Sequence, residues 1–291
     1  MVKNNIYENK IGVVILNYLN YWDTLNLLED LSRQEKVNLK IVVVDNNSPN
    51  ESFNILKSRV LNYNNVILTK AEYNKGYSAG NNIGIKLLYD CDYISILNAD
   101  VRIRDKELFF KLLAFYHTLN KVAFISPVIF DNKINIESTL WNLPSLFDDF
   151  LAFLFVSRKR KQKYRYFDDN IIVGDCLAGS FLFAHKNIFD QLGGFDEGVF
   201  LYNEEAIMGL KVKKMGLNNY LITSLKYYHK ESGSINICYD LNRKYGILFK
   251  SKLYYWEHKV GLKIWPRILL SIGRLINFIL IFIINIIKKV N

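Results

Sequence analysis

Acidic side chains that stop an apolar run are the residues of this chain best placed to do chemistry. In Tyr93-Ile94-Ser95-Ile96-Leu97-Asn98-Ala99-Asp100 a strand-like stretch gives way to a polar pair with one carboxylate. Such an ending puts the acid at the carboxyl edge of a sheet, where open α/β folds bind ligands, so Asp100 is a candidate ligand for a hard divalent cation. Asp45 closes the apolar run Lys40 to Val44 in the same way and opens the turn Asp45-Asn46-Asn47-Ser48-Pro49. Small polar side chains there cap backbone groups and start the next element. An ionised carboxylate is also a pure acceptor, which suits Asp45 to the ring N–H of a uracil or thymine. Glu204 and Glu205 begin a segment that reads as a helix running through Lys214 to Gly216. Two acids there suit the positive end of the helix dipole and are the remaining candidates for acid–base work.

These residues can act together only if the elements that carry them bring their tips to one edge. Ile11 to Leu16 reads as a buried strand, Trp22 to Arg33 spaces Leu25, Leu28 and Leu31 along one helical face, and Lys40 to Val44 reads as a second strand. Strand, helix and strand at this spacing make a parallel βαβ unit. The alternation continues with a helix over Phe53 to Leu61, a strand over Asn65 to Leu68, a helix over Ser78 to Leu88 and a strand over Tyr93 to Leu97. Four parallel strands would align Asn17, Asp45, the segment Thr69 to Asn74, and Asp100 along one edge, the expected site. Gly80 and Gly84 lie one helical turn apart, which lets their helix approach the sheet closely. Their segment, Gly76 to Gly84, matches neither the dinucleotide fingerprint nor a Walker-type phosphate loop. Its amino end, Asn74 to Tyr77, would line a nucleotide pocket.

The chain has 291 residues, half of them apolar, enough to bury a substantial core as one large domain or two small ones. A net charge of +10 favours an acidic partner: nucleic acid, an anionic membrane surface or a phosphorylated substrate. Aromatic residues interleave too sparsely with the cations for a nucleic-acid reading, so no nucleic-acid partner is expected. Cys91, Cys176 and Cys238 are too few and too widely spaced for a disulfide framework or a zinc pattern, which points to a reducing compartment. The polar start, Met1 to Lys10, and the short run Ile11 to Leu16 predict no secretion signal. Arg158 to Arg165 packs six cations into eight positions, suited to anionic headgroups or a lipid-linked diphosphate. Ile264 to Ile287 is strongly apolar but contains Arg267 and Arg274, which are expensive at bilayer depth. An interfacial helix fits it better than a membrane span, and packing on the rest of the chain or on a second copy in a homodimer are the other options.

Five segments, VVILNY, VVVDNNS, NKGYSAGNNIGI, ILNAD and GGFDEGVFLYNEEA, stand in this order between Lys10 and Ile235. Together they resemble the family-2 glycosyltransferases of the GT-A fold, especially the branch similar to rhamnosyltransferases of bacterial surface polysaccharides. The resemblance implies a nucleotide-diphospho-sugar donor bound over the first half, with Asn17, Tyr18 and Asp45 near the base. Asn74, Gly76, Tyr77, Asn81 and Asn98 would line the rest of the donor. Asp100 would be the last residue of a DXD-type motif for magnesium or manganese, a motif left with one carboxylate by Asn98. His229 falls where some such enzymes place a third metal ligand. The general base falls at Glu205, with Glu204 the runner-up, since the usual further acid two positions on is Ile207 here. Cys176 to Phe183 would lie beside the donor phosphates and the acceptor, and Arg102 and Arg104 are candidates to touch phosphate.

The chemistry is consistent with these assignments. Sugar transfer needs a diphosphate to leave, which a divalent ion assists, and inversion needs a base on the opposite face to take the acceptor's proton. The expectation is therefore an α/β, Rossmann-like GT-A sheet with a C-terminal helical tail. Residues 1–240 would be catalytic, 1–105 binding the nucleotide sugar and 106–240 the acceptor, and 241–291 would associate with membrane. The expected activity is inverting transfer of a sugar, rhamnose or another hexose, to a lipid-linked glycan acceptor at the cytoplasmic face of the cell membrane, the enzyme being peripheral. The rivals are a metal-dependent sugar nucleotidyltransferase, for which a glycine- and basic-rich triphosphate loop is missing, and a non-catalytic membrane-bound scaffold.

Overall fold

The computed structural model describes residues 8–154, 164–230 and 240–290, with side chains to residue 283. Most of the basic run, residues 158–163, and Cys238 lie outside the described residues. The strands β1 (Lys10–Asn17), β2 (Asn38–Asp45), β3 (Val66–Lys70) and β4 (Tyr93–Asn98) are parallel, in the spatial order β3-β2-β1-β4. Helices α1 (Tyr21–Ser32), α2 (Ser52–Arg59) and α3 (Tyr77–Leu87) make the crossovers. The strands read as unbroken apolar runs because helices cover both faces. Val13, Ile15, Ile41 and Val43 pack with Leu27, Leu28 and Leu31 of α1, while Val14, Val42, Ile94 and Ile96 pack with Ile85 and Leu88 on the other side. The close approach predicted for α3 is real: a Cβ on Gly80 or Gly84 would fall 2.4 Å from Leu16 or Val14.

The second half continues the sheet with mixed polarity. Its elements are β5 (Val101–Arg102), α4 (Leu108–Thr118), β6 (Val122–Asp131), β7 (Lys133–Asn135), α5 (Ile136–Thr139), β8 (Leu140–Trp141) and α6 (Leu146–Leu151). There follow β9 (Arg165–Asp168), β10 (Ile171–Gly174), β11 (Cys176–Leu177), β12 (Phe181–His185), α7 (Lys186–Leu192), α8 (Glu204–Lys214) and β13 (Asn218–His229). β12 lies antiparallel beside β4, and β6, β13, β10 and β9 follow outward. The end of β13 turns to pair with β5, setting His229 opposite Val101. A histidine 129 positions after Asp100 is thereby brought beside it.

Beyond residue 240, α9 (Leu241–Tyr254), a π-helical turn (Tyr255–Val260) and α10 (Ile264–Val290) fold back onto this body. Tyr255, Trp256 and Leu270 share a core with Phe153, Val199, Ala206 and Ile207. Within it Asp149, only 2% exposed, accepts hydrogen bonds from Lys252 Nζ and from Trp256 Nε1, the latter at 2.7 Å. Asn277 of α10 donates to the Phe153 carbonyl at 2.7 Å. Asp196 is gripped as well: burial works to raise its carboxyl, but Lys259, the Gly198 N–H and Tyr254 outweigh this and hold it below the usual range. Lys252→Ala would strand the Asp149 charge in this core, and a loss of about 3–5 kcal/mol is expected, read as a lower urea midpoint.

Candidate active site

At the first strand tip, Asn17 donates from Nδ2 to Asp45 Oδ2 at 2.7 Å and accepts from Thr24 Oγ1 at 2.9 Å. The Ser48 N–H donates to Asp45 Oδ1 at 2.9 Å. Both residues are fully buried, and both carboxylate oxygens of Asp45 are engaged. Asn17 and Asp45 therefore form the floor of the edge, locking β1, β2, α1 and the 46–48 turn together. Asp45 has no exposed surface and is held in this network through both of its oxygens. Tyr18, half-buried, is the member of the trio with accessible surface.

The loop before α3 comes next. Asn74 Oδ1 accepts from the Gly76 N–H and from Asn46 Nδ2, each at 3.0 Å. Gly76 has φ 98°, and a Cβ there would sit 2.0 Å from the Phe200 carbonyl oxygen, so only glycine fits. The Tyr77 N–H donates to that carbonyl at 3.0 Å, joining the start of α3 to the loop before α8. Asn81, buried, donates back to the Tyr77 carbonyl at 3.1 Å and leaves its Oδ1 without a partner. Its neighbour Asn82 went unnoticed in the sequence. It donates to the Phe195 carbonyl and to Glu197, accepts from the Phe195 N–H at 2.9 Å, and so braces the Gly193 to Glu197 loop. The only signal was a second amide beside Asn81 on a helix already known to be close-packed.

The turn Gly179-Ser180 gathers the remaining elements. The Ser180 carbonyl accepts from the Asn98 N–H at 3.1 Å, and Ser180 Oγ bonds the Tyr227 hydroxyl at 2.7 Å. The Gly179 carbonyl accepts from Tyr77 OH at 2.6 Å, and its N–H donates to Glu205 Oε1 at 3.4 Å. Burial pushes the Tyr77 and Tyr227 hydroxyls upward, with the Glu204 and Glu205 charges adding to Tyr77 and the Asp100 charge to Tyr227. Asp100 and His229 meet at this end of the sheet, Oδ1 to Nε2 at 3.2 Å, with side chains 13% and 15% exposed. The two are within ion-pairing distance without a hydrogen bond, and Nε2 has no other partner. The carboxylate is the kind of ligand magnesium or manganese takes, one or two together with phosphate oxygens, and the imidazole nitrogen without a partner suits a transition ion better than magnesium. Among the described residues no third acid, histidine or cysteine joins them. The neighbouring arginines are otherwise employed: Arg102 makes a two-pronged bond to Asp30 at 2.6 and 3.0 Å, and Arg104 stacks on Tyr228. The phosphate role considered for Arg102 is thus taken up by a structural ion pair.

The acid pair sits at the other end of this chain of contacts. Tyr202 and Asn203 hold φ values of 70° and 71°, two successive left-handed residues without glycine, immediately before α8. Such conformations cost energy and persist where surroundings enforce them, often at functional sites. Glu204 is 8% exposed, and its Oε2 and the Asn203 Nδ2 are buried without hydrogen-bonding partners. Burial pushes the Glu204 carboxyl well above the usual glutamate range, the charge of Glu205 adding to it, and burial raises Glu205 as well. Both acids line a cavity of about 440 Å³ with Trp141, Asp148, Tyr202 and Lys252. A cavity of this size walled by two carboxyl groups has the room and the acid–base groups for a hydroxyl-bearing ligand.

The backbone matches that of GT-A glycosyltransferases: a mannosyltransferase of Pyrobaculum calidifontis, solved with GDP-Man and Mn2+, superposes with a TM-score of 0.61 at 13% identity, covering 92% of this chain and 70% of that one. The family model for glycosyl transferase family 2 matches residues 13–188, and the chain belongs to that family. Among curated proteins it is similar to the rhamnosyltransferase WbbL of Escherichia coli K12, 26% identical over 246 residues, covering 80% of this chain and 84% of that protein. It is also similar to the low-salt glycan biosynthesis hexosyltransferase Agl10 of Haloferax volcanii, 24% identical over 212 residues. That match covers 72% of this chain, which spans 63% of Agl10.

The raised Glu204 carboxyl has a consequence for stability. A carboxyl whose affinity for protons is higher folded than unfolded favours the unfolded chain once pH passes the unfolded value. Glu204→Gln should therefore raise the melting temperature at neutral pH. The gain should fade below about pH 4, where the unfolded glutamate is itself protonated.

Proposed function

We propose that this chain is an inverting glycosyltransferase that moves a sugar, rhamnose or another hexose, from a nucleotide-diphospho-sugar to a lipid-linked glycan at the cytoplasmic face of the membrane. The observation that carries the reading is the Gly179-Ser180 turn, which bonds the strand carrying Asp100, the donor-side Tyr77 and the carboxylate of Glu205 at once. The donor-side Tyr77 and the base Glu205 thereby share one backbone turn. Support for the sugar class comes from the names of the similar proteins, a rhamnosyltransferase and a hexosyltransferase. The donor would lie along Tyr18, the Asn74 to Tyr77 loop and Asn98, with Asn17 and Asp45 fixing the edge beneath it. Asp100 and His229 would hold a magnesium or manganese ion, which offsets the charge of the departing diphosphate.

Glu205 takes the proton of the attacking hydroxyl. Its raised proton affinity brings it nearer the working pH, which makes it a better base than an ordinary glutamate. Glu204, deeper and less accessible, is pushed further upward by burial and by the charge of Glu205. The exposed apolar face of α10 supports a peripheral membrane location.

Purified protein given a panel of UDP-, TDP- and GDP-sugars should release nucleoside diphosphate only when acceptor is present; release of pyrophosphate would instead indicate a nucleotidyltransferase. Glu205→Gln should lower turnover by about 10²–10⁴ with little change in donor KM. The acid limb of kcat/KM should lie above the ordinary glutamate range of about 4.3. Full turnover in both Glu205→Gln and Glu204→Gln would remove the assignment of the base.

A further inference from the structure

A second cavity, of about 760 Å³, lies on the other side of α9 from the acid pair. Three cations line it, Arg243 and Lys250 from α9 and Arg274 from α10, together with Phe200 of the loop before α8. Among the described residues the one acid along it is Asp240, which accepts the Arg243 N–H at 2.7 Å as the cap of α9. A concave surface on which three positive side chains outnumber one carboxylate suits a multiply charged anion. Leu248 and Lys252 of α9 line the acid-pair cavity, whereas Ile247 and Lys250 line this cleft. The loop is the shared wall, Phe200 facing the cleft and Tyr202 the cavity. An anion in the cleft would therefore have its attached group one loop away from Glu205.

The cleft also borders an apolar surface. Leu270, Gly273, Asn277 and Ile281 set one face of α10 against the protein. The opposite face, at 100° per residue, exposes Trp265, Leu275, Phe278 and Phe282 by 71%, 61%, 60% and 60%. Arg267 and Arg274, two turns apart, mark the boundary between the faces. Arg267 is held by Glu257 at 2.9 Å, while the Arg274 guanidinium lies 4.8 Å from the Phe249 ring and lines the cleft. An apolar face with arginines at its margin and a tryptophan near its start, on a chain of net charge +10, is complementary to an anionic bilayer in which the helix lies flat.

We propose that this cleft binds the diphosphate head of a prenyl-type membrane lipid, while the apolar face of α10 lies in the leaflet that carries it. The inference rests on the reading of the acceptor as lipid-linked, and gives that acceptor's anionic anchor a place of its own, apart from the sugar-transfer centre.

The test uses the full chain with its donor pocket saturated by nucleoside diphosphate. It is offered phosphatidylcholine vesicles carrying farnesyl diphosphate, vesicles carrying phosphatidylserine at matched surface charge, and free pyrophosphate. Flotation with farnesyl diphosphate vesicles should exceed that with phosphatidylserine. The combined variant Arg243→Gln, Lys250→Gln, Arg274→Gln should weaken farnesyl diphosphate binding on the order of a hundredfold, about fivefold per cation. Lys250→Glu, at an exposed position, should act in the same direction without disturbing packing. Phe278→Asp with Phe282→Asp should abolish flotation but leave pyrophosphate binding intact. Equal capture by the two charged vesicles, unchanged affinity in both cation variants, or a dimer in sedimentation that hides the α10 face would overturn the proposal. Capture without sugar transfer would uphold the cleft and sink the proposed activity, whereas transfer to a lipid-linked acceptor unaltered by the cation variants would sink the cleft alone.

Discussion

Everything at the site depends on two successive residues, Gly179 and Ser180, whose backbone groups are shared among elements far apart in the chain. The Ser180 carbonyl holds β4 at Asn98, and the Gly179 carbonyl and N–H hold Tyr77 and Glu205. Backbone groups make good fixed points because, buried, each must find a partner and cannot swing away as a side chain can. Gly179 also has to be small: a Cβ there would meet the Tyr77 hydroxyl at 3.0 Å and Glu205 at 3.3 Å. Burial raises the proton affinity of the acid pair, and the Gly179 N–H acts on Glu205 in the opposite direction.

What the sequence disclosed, it disclosed through period and through strand ends. The four parallel strands were legible because, buried on both faces, they are written as unbroken apolar runs, and their polar tips mark the edge where Asp100 lies. Gly80 and Gly84 were legible for the same reason, since one helical turn separates them. The pairing of Asp100 with His229 rested on family likeness alone, because a strand switch near residue 226 and the short β5 ladder create it, and no periodicity encodes such a switch. The burial of Asp45 was hidden as well: a carboxylate in a polar turn reads the same whether it faces a ligand or accepts from Asn17 and Ser48 beneath the surface. Asn82 escaped because its partners, Phe195 and Glu197, lie more than a hundred residues away.

The region after residue 240 reads in sequence as an appendage, being basic first and apolar later. In the structure it completes a core. Asp149 finds its buried partners there in Lys252 and Trp256, and Leu270 and Asn277 seat α10 against Phe153. The polar bonds here do not add a great deal of net stability, given what burial of the charges costs, but they fix which helix face turns inward. That choice of face leaves the apolar stripe of α10 outward and places Arg274 at the cleft.

The loop from Gly198 to Tyr202 carries a consequence for how such enzymes diversify. Its Phe200 carbonyl seats the start of α3, its Leu201 carbonyl is held by Ser251, and its Tyr202 lines the cavity of the acid pair. One short stretch of backbone is thus common property of α3, the acid-pair cavity and the C-terminal helices. A C-terminal pair grafted from a relative would have to bring a hydroxyl for Leu201, a cation and an indole for Asp149 and a cation for Asp196 before it could sit here. The C-terminal helices and this loop are therefore a matched set of parts and not an exchangeable module.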